Sequence, residues 1–134
     1  MPFAAVVSSD LLRARQTADA VGAALGLRVE HDAALRERHY GQFEGKTPTE
    51  AALFAPEANA DLVARLDLTA APAAAEPLQA MVDRIDQCMA GLAQRFPAAS
   101  AVVVTHGGVL DILYRRAMNR ALTGPRDAPI PNAG

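Results

Sequence analysis

Arg13, Glu37 and His106 are the residues of this chain whose types and settings could do chemistry. Arg13 follows an apolar run ending in Ser8-Ser9-Asp10, at the point where a helix should begin. Free backbone N–H groups and the helix dipole favour an anion at such a start. A guanidinium adds a planar, permanently charged fork matched to phosphate oxygens. Glu37 lies in a Gly-flanked loop beside Arg36, Arg38 and His39. A carboxyl group poised there near neutral pH could protonate a leaving alkoxide, which otherwise departs poorly. His106 follows Val102-Val103-Val104-Thr105 and precedes Gly107-Gly108. The glycines let backbone approach a ligand closely, and an imidazole so placed could donate to a phosphate oxygen while charge moves from nucleophile to leaving group. Taken singly, each residue also fits a plainer role. Arg13, like Arg15, could be a solvated surface arginine, Glu37 a solvated loop carboxylate, and His106 a hydrogen-bonded core or surface group.

The elements that would position them follow from periodicity and punctuation. Phe3 to Ser8 reads as a buried strand feeding a helix in which Leu11, Ala14, Ala18, Val21 and Leu25 recur at helical spacing, with Gly26 as the stop and Ser9 or Asp10 as the cap. A short strand is expected over 28–31 and a polar loop over 32–46. Thr47-Pro48-Thr49-Glu50 has the form of a capping box with proline at the first helical position, and Pro56 should end or bend the short helix it opens. Residues 67–76 are Ala/Pro-rich and read as a loop or linker. Leu78, Met81, Val82, Ile85, Cys88, Met89, Leu92 and Phe96 then form one apolar stripe of a long helix closed by Pro97. The run 101–104 suits a strand covered on both faces, followed by an apolar helix containing Val109, Leu110, Ile112, Leu113 and Met118. Strands alternating with helices predict a layered α/β domain with a mostly parallel sheet, whose ligands collect beyond the carboxyl ends of the strands. Ser8-Ser9-Asp10 and Thr105-His106-Gly107 both fall at such ends.

Composition bounds the partners. The 134 residues make one domain or a piece of one, and 51% hydrophobic content is ample for a core, although only 4% is aromatic. A net charge of -2 argues against nucleic acid or an anionic membrane, since both call for a basic face. The single Cys88 rules out an intrachain disulfide and fits a reducing compartment. With no signal-peptide pattern and no long apolar run, the chain reads as cytoplasmic. His31, His39, Glu37 and Glu44 match no regular metal-ligand spacing. No Walker or dinucleotide loop occurs, and Ser8 or Ser9 lacks the Gly-x-Ser-x-Gly elbow of a serine nucleophile.

Three segments together carry a resemblance. Ser8-Ser9-Asp10-Leu11-Leu12-Arg13-Ala14-Arg15-Gln16-Thr17-Ala18, Leu35-Arg36-Glu37-Arg38-His39-Tyr40-Gly41 and Val103-Val104-Thr105-His106-Gly107-Gly108 follow one another as in the histidine phosphatases, a superfamily that includes the cofactor-dependent phosphoglycerate mutases. The resemblance implies a three-layer α/β/α fold with residues 1–134 as a partial domain. It implies a phosphate clamp at Arg13, a proton donor at Glu37, a non-nucleophilic assisting imidazole at His106 that also binds phosphate, and rim positions at Arg38 and Gly107. It further implies a phosphohistidine intermediate, a phosphorylated small molecule as substrate, and no metal or other cofactor. The family's Arg-His-Gly motif, which carries the nucleophilic histidine, occurs nowhere in the sequence. Pro131-Asn132-Ala133 resembles the start of the family's penultimate strand region. The chain is therefore expected to be truncated at both ends and inactive alone. Gly-Gly-Val after His106 and Glu44-Gly45-Lys46-Thr47 resemble the phosphatases, whereas Glu-Arg-His-Tyr-Gly resembles the mutases. Phosphatase chemistry is the favoured expectation. Mutase-type phosphoryl transfer, a noncatalytic phosphate-binding remnant and an interaction remnant are the alternatives.

Overall fold

The computed structural model describes residues 2–126, so the Pro131-Asn132-Ala133 segment lies outside the described residues. The chain divides into two compact units. The first comprises residues 1–37 and 84–110, the second residues 38–83 and 111–134.

The first unit is built on a parallel sheet of strands β1 (Phe3–Ser8), β2 (Val29–His31) and β3 (Ser100–Val104), in the order β2-β1-β3. Its alternating side chains face two layers of helix. Ala5 and Val7 of β1, with Ala101 and Val103 of β3, pack with Leu35, Cys88, Met89, Leu92 and Phe96, the last four from α4 (Leu78–Arg95) and its C-terminal end. Helix α1 (Leu12–Leu25) lies against all three strands and buries Ala14, Ala18 and Gly22. The small residues let helix and strand approach closely: a Cβ on Gly22 would meet Val29 Cγ2 at 2.7 Å. This is the layered α/β arrangement with a parallel sheet that the alternation of elements predicts.

Several local signals are realised. Gly26 closes α1 in the left-handed region at φ 67°, where glycine carries no Cβ penalty. Other expectations change. The N-cap of α1 is Leu11, without a side-chain cap bond, so neither Ser9 nor Asp10 caps the helix. The helix starts later than expected because the Ser9 hydroxyl accepts the Leu11 N–H and Asp10 is held by Arg36. Strand β3 is only half-buried along its length, less covered than its valines predict. Among the described residues it has a strand neighbour on one edge alone.

In the second unit, Thr47 and Glu50 form the reciprocal capping box at the start of α2 (Pro48–Phe54). Pro56 ends that helix and then occupies the first position of a further one, α3 (Pro56–Ala64), which the sequence reading does not anticipate. Proline's fixed φ suits a helix start as well as it forbids a helix interior, and α3 buries no residue that could betray it as an apolar stripe. The unit also contains the end of α5 (Gly107–Ala117), where Asp111 is buried between Arg65 and Arg115 at 3.0 and 3.1 Å.

Candidate active site

The first unit brings the carboxyl ends of β1 and β3 side by side. The ladder runs one step past β1, where Ser9 N–H donates to Val104 O at 2.9 Å. His106 lies two residues beyond the end of β3, and its carbonyl accepts the first bond of α5, from Leu110 N–H at 3.0 Å. The imidazole is 6% exposed, with Nε2 2.8 Å from the Ser9 hydroxyl oxygen.

Glu37 reaches the same helix start. Its Oε2 accepts the Gly108 N–H at 2.9 Å, a bond that satisfies one of the donors a helix N-terminus leaves free. The loop carrying Glu37 is tied on three sides. Thr105 Oγ1 donates to Leu35 O at 2.7 Å, Arg84 donates to Ala34 O at 2.6 Å and to Glu37 O at 3.3 Å, and Arg36 holds Asp10 through two bonds of 2.6 and 2.7 Å. The Arg36 guanidinium hydrogen-bonded to Asp10 holds that carboxyl below its ordinary value.

Arg13 lies in the first turn of α1, exposed, with no side-chain hydrogen bond among the described residues. It nevertheless acts on His106. Burial pushes the imidazole below its ordinary pKa of 6.5, the Arg13 charge pushes the same way, and the Glu37 carboxylate opposes both. Smaller effects come from Arg84, which lowers it, and Asp10, which raises it. Arg13, Glu37 and His106 thus share one electrostatic neighbourhood in the first unit. Gly107 opens α5 beside them.

Arg38 belongs to the second unit. It is 8% exposed, and its Nε donates to Glu76 O at 2.8 Å. His39 and His31 are exposed, and His39 Nδ1 accepts the Gly41 N–H. Among the described residues no three His, Cys, Asp or Glu side chains are grouped to hold a metal ion. Cys88 is buried, with its S–H directed at Asp32 Oδ2 at 3.4 Å.

Arg84 and Ser9 contribute to this neighbourhood without having been singled out for it. Arg84 carries a faint sequence signal. It stands three residues after Met81 and four before Cys88, at the margin of the α4 stripe, where a long side chain can leave the apolar face and reach a backbone carbonyl. Nothing in the sequence pairs Ser9 with His106, since they meet only through the register of two parallel strands.

A guanidinium, a carboxylate and an imidazole thus gather at the strand ends of a parallel α/β scaffold, and comparison places that scaffold in a family. The family description "Histidine phosphatase superfamily (branch 1)" matches residues 1–134, and the chain belongs to that superfamily. Over 113 residues it is 38% identical to phosphoglycerate mutase-like protein 4 of Arabidopsis thaliana, covering 84% of this chain and 49% of that protein. Among solved structures it is similar to YhfR of Bacillus stearothermophilus, with a TM-score of 0.81 and 29% identity over 90% of this chain and 59% of that one. It is also similar to a mycobacterial glucosyl-3-phosphoglycerate phosphatase in complex with inorganic phosphate, with a TM-score of 0.75 and 32% identity over 90% of this chain and 61% of that one. The chain spans about half the length of the curated relatives it matches. Phosphatases stand among its relatives, and among the described residues no helix is long and apolar enough to cross a membrane.

Proposed function

We propose that Arg13, Glu37 and His106 form the phosphoryl-binding and proton-transfer part of a phosphomonoester phosphatase that works through a phosphohistidine, with the nucleophilic imidazole supplied from outside these 134 residues. The observation that carries this reading is the bond from Gly108 N–H to Glu37 Oε2, which brings a carboxyl to the helix start that His106 opens, within the field of Arg13.

In the proposed reaction the nucleophilic nitrogen attacks phosphorus and the ester P–O bond breaks. Glu37, entering as the acid, gives its proton to the departing alkoxide. Water then attacks phosphorus with Glu37 as base, the P–N bond breaks, and inorganic phosphate leaves. Arg13 and His106 donate to the equatorial oxygens, over which the charge of the transferred group is spread, and two easier steps replace one hard one. The substrate is a phosphorylated small molecule. The phosphatase relative favours hydrolysis over transfer to a second substrate.

The test is a pair of measurements on the purified chain. Against an aryl phosphate it should show no turnover at a rate typical of a phosphatase. Inorganic phosphate or vanadate should nonetheless shift the amide signals of Leu12, Arg13, Gly107 and Gly108, and Arg13→Gln should weaken that binding about tenfold or more, as expected for a charge-assisted bond. Robust turnover lost in His106→Ala would make His106 the nucleophile and overturn the assignment. Absence of any anion binding would leave only an interaction remnant.

A further inference from the structure

We infer that the Ser9 hydroxyl is a positioning group that holds His106 as its Nδ1–H tautomer, making Nδ1 the nitrogen offered to a phosphoryl oxygen. The part concerning the oxygen rests on the proposed function, whereas the tautomer stands on geometry alone.

A serine hydroxyl has one proton and two lone pairs, and a neutral imidazole has one donor and one acceptor nitrogen. Ser9 is fully buried, and its oxygen already accepts the Leu11 N–H at 3.3 Å. Among the described residues, the group within reach of its proton is His106 Nε2, at 2.8 Å. With the ring proton on Nδ1, the bond runs from Ser9 Oγ–H to Nε2 and every group is satisfied. With the ring proton on Nε2, that nitrogen would donate to Ser9, leaving a buried hydroxyl proton without an acceptor. A buried donor left unmade is the costlier arrangement. The bond made by one ring nitrogen decides which nitrogen carries the proton.

Ser9 is itself fixed. Its N–H donates to Val104 O, and its carbonyl accepts the Ser8 hydroxyl at 2.7 Å. The backbone that carries the hydroxyl is therefore part of the sheet's frame, and the two strand ends that lead to Ser9 and His106 are in register through that frame. Nδ1 is placed differently. It has no hydrogen-bond partner among the described residues. It is the one ring nitrogen of His106 free to take an anion.

Nitrogen-15 NMR of the imidazole in the unmodified chain, at a pH above its titration and without phosphate, reads the tautomer directly. The expected result is a protonated Nδ1 and an unprotonated Nε2. In Ser9→Ala the population should move towards Nε2–H, and phosphate binding should weaken about two- to tenfold, the loss one hydrogen bond carries. Ser9→Thr, which keeps the hydroxyl, should restore both. His106→Asn, whose amide overlies Nδ1, should keep phosphate binding that His106→Gln, whose amide overlies Nε2, loses. A protonated Nε2 in the unmodified chain overturns the inference whatever the variants do. A protonated Nδ1 in a chain that binds no phosphate keeps the Ser9 assignment and removes the proposed function.

Discussion

The imidazole of His106 stands under opposed influences, with burial and Arg13 favouring its neutral form and Glu37 favouring the cation. Each influence has a sign that can be tested separately. In the unliganded chain its titration midpoint should fall below the ordinary 6.5. Arg13→Gln removes a positive neighbour and should raise the midpoint. Glu37→Gln keeps an acceptor for the Gly108 N–H but removes the negative charge, and should lower it. Phosphate, an anion facing the ring, should raise it. The midpoint is read from the imidazole carbon-proton signals during an NMR pH titration, and an unchanged midpoint in Arg13→Gln would place Arg13 away from His106. A neutral imidazole at pH 7 suits the proposed role, since it can donate one bond to a phosphoryl oxygen without competing as a second cation with Arg13.

At the scale of elements, what the sequence made legible was what local rules determine. The Gly26 stop, the Thr47–Glu50 capping box and the apolar stripe of α4 each depend on residues within a turn of one another, and each is realised. The residues of the candidate site were legible for a different reason, as segments resembling a known family, since no local rule joins Arg13, Glu37 and His106. Helix α3 was not legible because it buries nothing, and the Ser9–His106 pair was not legible because strand register, unlike helical spacing, is set by partners distant in sequence. The tight turn at Gly41 lies between these cases. The loop around it was expected, but its steric requirement was not. Gly41 has φ 56°, and a Cβ there would come within 2.3 to 2.5 Å of backbone atoms of Ala73 and Ala74. Backbone cannot swing aside as a side-chain tip can. Gly41→Ala should therefore destabilise the chain by about 2 kcal/mol or more, from the left-handed conformation together with the clash. Gly45 has φ 77° and nothing within 4 Å of its would-be Cβ, so Gly45→Ala isolates the conformational part, about 1 kcal/mol. Urea unfolding of the two variants side by side measures the difference, and equal losses would show that Ala73 and Ala74 yield freely.

For the molecule as a whole, the perturbed groups shape stability against pH from both sides. His106, Asp10, Glu50 and Asp67 all have folded pKa values below their ordinary ones. For such groups the unfolded chain binds protons more readily, so their contribution is present above the unfolded value and is lost as pH falls. His106 begins that loss below 6.5, and the carboxylates follow below 4.5 and 3.8. Cys88 works in the opposite sense. Burial, reinforced by hydrogen bonding to Asp32 and by its charge, pushes the thiol from 9.0 up to about 11, so the unfolded chain loses its proton first as pH rises. Its contribution is complete below 9.0 and disappears towards 11. Unfolding free energy should therefore be level between about 6.5 and 9.0 as far as these groups decide it, and should fall on both sides. The slope from either single group is at most about 1.4 kcal/mol per pH unit, the limit for one proton. Chemical denaturation across this range in Cys88→Ala should flatten the alkaline limb and leave the acid limb unchanged. His106→Asn should remove the first part of the acid limb while the carboxylate part remains. An alkaline limb that survives the loss of Cys88 would mean that the thiol is not the group being titrated.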